Sequence, residues 1–495
     1  MSPDHLMAID CGSGGVKCFI VDVRGKIVSQ SGVEWDRDKW NSDIGWLAIK
    51  KAIRKTFTAS NIDPKRIAGV STTSMREEFV LLDAKGREIT YEVTPDIYAH
   101  GDELNETHGE RMYRLSGHWP VPGWIAAGKM KWLRDKHPET LEQVHLFLMI
   151  SDWAGYMLGG TAYTEGSSAC ETSLFDVEKG EWAWELIDEL GIPTEIFPPV
   201  AHNGTQVSQV TGKAAMGSSL PEGTPVVVGG ADTQCGLLGC NAYKAGDVVA
   251  VGGTTTPVQM VTEKPVFDEK KRTWTNMHVA PGRWIIESNA GRTGWVYRWF
   301  RDNILCEEPN LKAYEKMNTL AEGTQPGSDG VKIFLGPHVF NSGPPYWEGD
   351  RLSDIQTPPT IIGSSRFTRS DLARAIIEAN CYAVRANLEQ LTEITGREVK
   401  RLGFCGGNSK SNLWNEIQSA VLGKSVIVPV ERDASAIGTS ICAAVGSGLY
   451  SNIGEAVKSM VHMMKPIRPS RELVERYDGF YHSWFETRRR LSGIL

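Results

Sequence analysis

Val226-Val227-Val228-Gly229-Gly230-Ala231-Asp232-Thr233-Gln234 is the stretch of this 495-residue chain from which the rest is read. A β-branched run closed by two glycines, an acid and small polar residues reads as a buried strand. It delivers a carboxylate into a crevice at its carboxyl end, where a base belongs. The same Asp232 would also serve as the cap of a helix over residues 233–238. On this stretch alone both roles stay open.

Working toward the amino terminus, residues 6–9 form a strand that ends at Asp10-Cys11-Gly12-Ser13-Gly14-Gly15. Residues 16–21 return as a second strand, and after a turn at 22–26 a third begins at Ile27. A hairpin with an acid and small residues at its tip lets backbone N–H groups approach a phosphate closely, with Lys17 just beyond. It lacks the Gly-Lys-Ser/Thr of a Walker loop. Residues 46–57 have helical spacing, and 67–71 form a strand that runs into Arg76-Glu77, a pair able to donate to and accept from a polyol. Pro95-Asp96 follows a second hairpin. Two indoles lie in a Pro/Gly loop at 116–124, a helix is expected around 129–133, and Asp152 is placed to cap a helix after a strand at 145–150. Asn341 to Trp347, with Gly343-Pro344-Pro345, reads as a lid or a surface turn.

Toward the carboxyl terminus the grammar repeats. Residues 248–251, Gly252-Gly253-Thr254-Thr255-Thr256 and residues 258–261 copy the first hairpin as strand, small polar loop, strand. Leu402-Gly403-Phe404-Cys405-Gly406-Gly407-Asn408-Ser409 copies 226–233 and is followed by a helix with Leu413, Trp414, Ile417 and Val421 on one face. A repeat of this kind implies two lobes of like architecture. The composition changes to a polar, glycine-ended link at 241–246, so the lobes are expected over 1–245 and 246–495. Helices are expected over 371–391, 434–445 and 471–491.

Composition limits the rest. Hydrophobic residues make up 41% and charged residues 23%, with no apolar run long enough to span a bilayer. The net charge of −7 with no basic tract argues against nucleic acid and polyanion partners. Nine scattered cysteines without a Cys-x-x-Cys read as packing residues in a reducing compartment, and Cys235 with Cys240 reads as core. A cytoplasmic protein is expected.

Taken together, Asp10-Cys11-Gly12-Ser13 with Lys17, Gly230-Ala231-Asp232-Thr233-Gln234, Gly252-Gly253-Thr254-Thr255 and Gly406-Gly407-Asn408-Ser409-Lys410 resemble the FGGY family of carbohydrate kinases, in the family's order. The resemblance runs from about Leu6 to about Tyr450. It implies an α/β fold of two actin-like, ribonuclease-H-like lobes with ATP and sugar meeting in the cleft between them. By the same resemblance Asp232 is the general base, and Arg76, Glu77, Asp96 and Gln234 contact the sugar. Asp10, Gly12, Ser13 and Lys17 form the first phosphate and magnesium site, with Asp10 on the metal. Gly253 and Thr254 form the second phosphate loop, and Gly406, Gly407 and Asn408 the adenosine site. Ser13 replaces the more usual Thr, and Asp96 is followed by Ile97 and Tyr98 where many members carry an Arg. Ser74-Met75-Arg76-Glu77 and Met149-Ile150-Ser151-Asp152-Trp153 look most like the autoinducer-2 kinase branch, with xylulose kinases next. Family precedent implies a homodimer.

The implied activity is ATP- and Mg2+-dependent phosphorylation of a hydroxyl on a small polyhydroxy carbonyl compound. Two other readings use the same loops: an actin-like ATPase whose nucleotide state drives a partner, and a sugar sensor without catalysis.

Overall fold

A computed structural model describes residues 3–36, 39–118, 125–289, 291, 293–308, 311–334, 360–363 and 365–491. Residues 119–124 of the loop at 116–124, and the stretch Asn341 to Trp347 singled out above, lie outside the described residues. The architecture is built on two six-stranded sheets.

The first sheet comprises β1 (His5–Gly12), β2 (Gly15–Asp22), β3 (Ile27–Glu34), β4 (Ile67–Ser74), β5 (Gln206–Gln209) and β6 (Pro225–Ala231), in the spatial order β3-β2-β1-β4-β6-β5. β1 pairs antiparallel with β2 and parallel with β4, and β4 pairs parallel with β6. The second sheet comprises β7 (Val248–Gly252), β8 (Pro257–Thr262), β9 (Trp274–Met277), β10 (Trp284–Asn289), β11 (Arg401–Gly406) and β12 (Ser425–Ile427), in the order β9-β10-β8-β7-β11-β12. Here β7 pairs antiparallel with β8 and parallel with β11, which pairs parallel with β12. Three antiparallel strands, β1-β2-β3 in the first sheet and β7-β8-β10 in the second with β9 added outside β10, followed by two strands parallel to the first, are therefore present twice.

This topology corrects the internal alignment expected from sequence. Leu402 to Cys405 lies in β11, beside the first strand of its own sheet, so its counterpart is β4 and not the 226–233 stretch. The true counterpart of β6 is β12, the short strand Ser425–Ile427. Paired glycines end both β6 and β11, and that local likeness concealed the difference in sheet position.

Helices α1 (Ser42–Ser60) and α2 (Ile150–Gly159) pack on one face of the first sheet, with Ile49, Ile53, Trp153 and Leu158 buried against Met7, Ile9 and Val70. The other face is covered from far along the chain. Helix α6 (Ala434–Gly446) lies on it, Ile437 and Ile441 packing with Leu6, Ala8 and Phe19. Each such isoleucine contributes about 1.5–3 kcal/mol by leaving water. Helix α6 also crosses α3 (Asp232–Gly239), and Gly438 is what permits it: a Cβ there would lie 1.9 Å from the carbonyl oxygen of Cys235. The small residues of 434–445 thus serve close packing. The second sheet is covered by α4 (Arg369–Thr395) and α5 (Asn412–Leu422), with Ile376, Ile377, Trp414 and Ile417 in one core. Helix α7 (Arg471–Leu491) adds Tyr477, Tyr481 and Trp484 to it.

Two local expectations change. The helix Ile97–Ser116 has no counterpart in the sequence reading, its polar face having masked the buried Leu104, Met112 and Tyr113. Asp152 does not cap α2, whose cap is Met149; it is a buried acid that accepts from Thr164 Oγ1 at 2.8 Å. All nine cysteines are free, and eight are buried.

Candidate active site

The strands that carry the expected site residues end in register. Asp10 on β1 stands opposite Thr73 on β4, and Thr73 stands opposite Gly230 on β6. Asp10, Arg76 and Asp232 therefore leave the same edge of the first sheet, the carboxyl edge where α/β folds bind ligands. On the second sheet Gly252 stands opposite Gly406, so the two glycine loops of that lobe also begin side by side.

β6 reaches Asp232 by leaving regular pairing: its register with β4 shifts between Val227 and Gly230. Glycine is required there, since a Cβ on Gly229 would lie 2.0 Å from the Thr72 carbonyl oxygen and one on Gly230 would lie 2.6 Å from Val279 Cγ2. Side chains take over the backbone groups the sheet releases. Thr73 Oγ1 donates to the Gly230 carbonyl at 2.6 Å, and the Ala231 N–H donates to Ser167 Oγ at 3.0 Å. Ser167 in turn donates to the buried carboxylate of Glu165, which also accepts from Asn203 Nδ2. None of these supports was singled out from sequence, because nothing in a lone Ser, Glu or Asn marks a contact 38 to 64 residues away.

Asp232 opens α3, and its Oδ1 accepts from the Thr233 N–H at 2.7 Å. The capping role left open by the sequence is not the one observed: the cap of α3 is Ala231, and Asp232 is the helix's first residue, its bond to the adjacent N–H being no capping bond. Burial and the neighbouring Asp10 push its carboxyl up to about 7, while Arg76 acts in the opposite sense. An acid poised there takes and returns a proton near neutral pH. Gln234 is fully buried; its Oε1 accepts from Thr233 Oγ1 at 2.6 Å and its Nε2 has no partner among the described residues.

Asp10 is buried and its carboxyl is raised, chiefly by burial, with Lys17 opposing. Ser435 Oγ, from the start of α6, donates to Asp10 Oδ2 at 3.1 Å. Asp433 lies close enough to repel Asp10, and Lys410 Nζ stands 3.9 Å from Asp433. Gly12 ends β1 and Ser13 with Gly14 forms the tight turn into β2, which is pinned where the Trp35 N–H and indole donate to the Gly14 and Ser13 carbonyls.

Arg76 is nearly buried and meets acids from two parts of the chain. Its Nη1 donates to Glu171 Oε1 at 3.0 Å and to Glu287 Oε2 at 2.7 Å, and its Nη2 donates to Glu287 Oε1 at 3.0 Å. Glu77 adopts a left-handed φ of 74°, which for a non-glycine residue costs about 1–3 kcal/mol and is characteristic of functional loops. Burial raises its carboxyl. Asp96 stands apart: exposed before the helix Ile97–Ser116, it accepts from Thr94 and from Trp132 Nε1 at 3.3 Å. No hydrogen bond among the described residues joins it to Arg76 or Asp232.

In the second lobe Gly406 has φ +82°, and a Cβ there would lie 2.4 Å from the Gly252 carbonyl oxygen. Gly253 and Thr254 are exposed above β7. The Thr254 carbonyl accepts from the Trp295 N–H at 3.1 Å, and its hydroxyl from Arg298 Nη2 at 3.0 Å. Gly294 lets the helix Thr293–Trp299 that carries these donors sit close, a Cβ there falling 1.9 Å from the Gly253 carbonyl oxygen. Gly407 is exposed beside Asn408, whose buried Nδ2 has no partner among the described residues. A side-chain-free cradle with an unpaired amide donor fits a nucleotide.

Two lobes of repeated topology, one ending in a buried carboxyl raised to about 7 and the other in glycine-lined loops, fit a phosphotransferase that acts on a small hydroxyl compound. The chain belongs to the FGGY family of carbohydrate kinases: residues 5–239 match the family's N-terminal domain and residues 248–447 its C-terminal domain. It is 31% identical to the autoinducer-2 kinase of Salmonella paratyphi B, over 98% of this chain and 94% of that protein. In fold it is similar to a xylulose kinase from Rhodospirillum rubrum, with TM-score 0.82, 21% identity and 99% of each chain covered. It is also similar to a gluconate kinase from Lactobacillus acidophilus, with TM-score 0.83, 17% identity and coverage of 99% of this chain and 98% of that one. The two-lobed fold and the kinase activity expected from sequence stand. No helix among the described residues is long and apolar enough to cross a membrane.

Proposed function

We propose that this kinase transfers the γ-phosphoryl group of ATP to a primary hydroxyl of an open-chain polyhydroxy carbonyl compound, with the autoinducer-2 precursor dihydroxypentanedione as substrate. The observation that carries the reading is Asp232: a carboxyl at about 7 beside Asp10 and Arg76, on the carboxyl edge of the first sheet. The similarity to an autoinducer-2 kinase over 98% of this chain supports the choice of substrate.

In this reading Asp232 accepts the proton of the attacking hydroxyl and fixes its line of attack. Arg76, Glu77, Asp96 and Gln234 hold the substrate, and the unpaired Gln234 amide is a donor awaiting an acceptor. Gly12, Ser13 and Lys17 face one side of the polyphosphate and Gly253 and Thr254 the other, while Gly406, Gly407 and Asn408 hold the adenosine. Lobes 1–245 and 246–495 close on the pair and exclude water. No three metal-ligating side chains cluster among the described residues. That suits Mg2+ held by Asp10 together with phosphate oxygens and water. The ion supplies charge neutralisation on the transferring phosphoryl group.

The test is Mg2+-dependent ADP release by the purified protein with dihydroxypentanedione, xylulose, ribulose, glycerol and erythritol offered in turn. Stimulation by dihydroxypentanedione above the others is expected. Release indifferent to every compound would instead identify an ATPase without a sugar acceptor.

A further inference from the structure

Just before Asp232 the chain steps out of register, and one acid from another part of the sequence organises what holds it. Glu165 is 1% exposed and precedes a single turn of helix, Gly166–Ala169. Four donors converge on its carboxylate. The Ser167 N–H and hydroxyl donate to Oε2 at 2.7 and 2.8 Å, the Ser168 N–H donates to Oε1 at 2.7 Å, and Asn203 Nδ2 donates to Oε2 at 2.8 Å. Every contact it makes here is with a donor, so Glu165 acts only as an acceptor.

Two of those donors also reach the end of β6, where Val228 and Gly229 have no partner on β4. Asn203 Nδ2 has two hydrogens, and the second goes to the Gly229 carbonyl. Ser167 Oγ accepts from the Ala231 N–H at 3.0 Å; its one proton is committed to Glu165, so the direction of this relay is fixed. The other side of the same peptide, the Gly230 carbonyl, accepts from Thr73 Oγ1 at 2.6 Å. Side chains therefore hold the Gly230–Ala231 peptide plane at both ends, and the next residue is Asp232. The Asp232 side chain is itself tied only to the adjacent Thr233 N–H among the described residues, so its place follows the backbone that carries it. Just past the helical turn, Glu171 accepts from Arg76 Nη1 at 3.0 Å, so one short stretch braces both Asp232 and Arg76.

We propose that Glu165 is a positioning residue for the base: through Ser167 and Asn203 it fixes the peptide groups of 229–231, and so sets where the Asp232 carboxylate stands against the attacking hydroxyl. This rests on the reading of Asp232 as that base. Glu165 acts by geometry and not by charge, since burial, Asp10 and Arg76 are what chiefly move the Asp232 carboxyl. A base displaced by a fraction of an ångström loses its line to the hydroxyl while the substrate keeps its contacts with Arg76, so the loss falls on kcat.

The experiment measures kcat, both KM values and Tm, with dihydroxypentanedione and with xylulose, for Ser167→Ala, Glu165→Gln and Ser168→Ala, and for Ser167→Ala combined with Asp232→Asn. Ser167→Ala leaves the Ala231 N–H without its acceptor and should lower kcat about ten- to a hundredfold, with both KM values within about twofold. Ser168→Ala is the control: it is likewise buried, its hydroxyl meets Ser151 Oγ at 3.4 Å, and kcat should stay within about twofold of the wild type. Glu165→Gln sets an amide NH2 against one of the converging donors and should lower kcat at least as far as Ser167→Ala. Adding Ser167→Ala to it should cost no more than about a further twofold, because the two act in one chain. In the Asp232→Asn background Ser167→Ala should change kcat by less than about twofold, there being no base left to misplace. A loss there as large as in the wild-type background would make the effect one of general structure and overturn the proposal. So would a folded Ser167→Ala protein with wild-type kcat. Should either variant fail to fold, Ser167→Cys, whose thiol is the weaker acceptor, makes the same comparison. An Asp232→Asn protein with wild-type kcat would instead overturn the reading of the base, and this inference with it.

Discussion

Arg76 and Glu287 form a two-pronged ion pair, 2.7 and 3.0 Å long, between the loop after β4 in one lobe and β10 in the other. Burial alone would raise the Glu287 carboxyl, but Arg76 and Gln259 outweigh it and hold it below the ordinary range. A carboxyl lowered on folding contributes stability above its unfolded value near 4.5 and loses it as pH falls through the folded value. Arg76→Met leaves Glu287 and Glu171 buried without a counter-charge. We expect a loss of about 3–5 kcal/mol at neutral pH. The difference in Tm from the wild type should shrink as pH falls toward 4.5, because burial without the counter-charge raises both carboxyls and they are already protonated in the folded variant above that pH. Thermal unfolding across pH 4 to 8 checks this, and a difference that stays constant with pH would refute it.

Asp232→Asn removes the proton acceptor at unchanged shape. Sugar-dependent kcat should fall by about 10²–10⁴-fold, the usual worth of a positioned base. In the wild type kcat/KM should rise with pH through about 7, the value to which burial and Asp10 lift this carboxyl. Stability moves the other way. From the ordinary 3.8 up to about 7 the folded protein holds a proton that the unfolded chain has released, so its stability falls as pH rises across that window. The Asn variant escapes this, and its Tm advantage should grow from pH 4 to 7 and level off above. A variant less stable than the wild type at pH 8 would contradict the assignment.

Gly406→Ala meets two obstacles at once, a φ of +82° and a Cβ 2.4 Å from the Gly252 carbonyl oxygen. The strain of about 1–3 kcal/mol falls where two adjacent strands release their loops toward the nucleotide. ATP KM should rise on the order of tenfold or more while sugar KM stays within about twofold. Steady-state kinetics with each substrate varied in turn separates the two, and a matching rise in both would point to general misfolding.

Gly438→Ala places a methyl group 1.9 Å from the Cys235 carbonyl oxygen, forcing α6 away from α3. Overpacking of this kind costs about 1–3 kcal/mol. Because α6 carries Ser435 to Asp10 and α3 carries Asp232, kcat should fall together with Tm. Ser435→Ala serves as the control. It removes the 3.1 Å bond to Asp10 without moving the helix, and should weaken Mg2+-dependent activity while leaving Tm within about 2 °C of the wild type.

Much of this was legible along the chain. The β-branched run before Gly229, the Asp10 hairpin and the Gly252 and Gly406 loops announced strand ends with small residues, because backbone approach tolerates nothing larger. What was not legible has a common cause. Ile97–Ser116 buries only one narrow face, so its apolar period is diluted by charge. Asp152 looked like a cap because local spacing says nothing of Thr164, which folds back onto it. The β11 repeat was matched to the wrong partner because a strand's neighbours are set by pairing, not by the glycines that end it.

By itself the sequence determined the local pieces: where strands end, which ends carry a carboxylate, and that the pattern occurs twice, since periodicity and glycine chemistry act between near neighbours. Only the tertiary structure decided what faces those ends. It brought Ser435 to Asp10 across 425 residues, Glu287 to Arg76 across 211, and a helix of the second half onto the first sheet. Contacts of that length leave no mark in spacing, because they are fixed by which faces must be buried against one another, and that is settled by the fold as a whole.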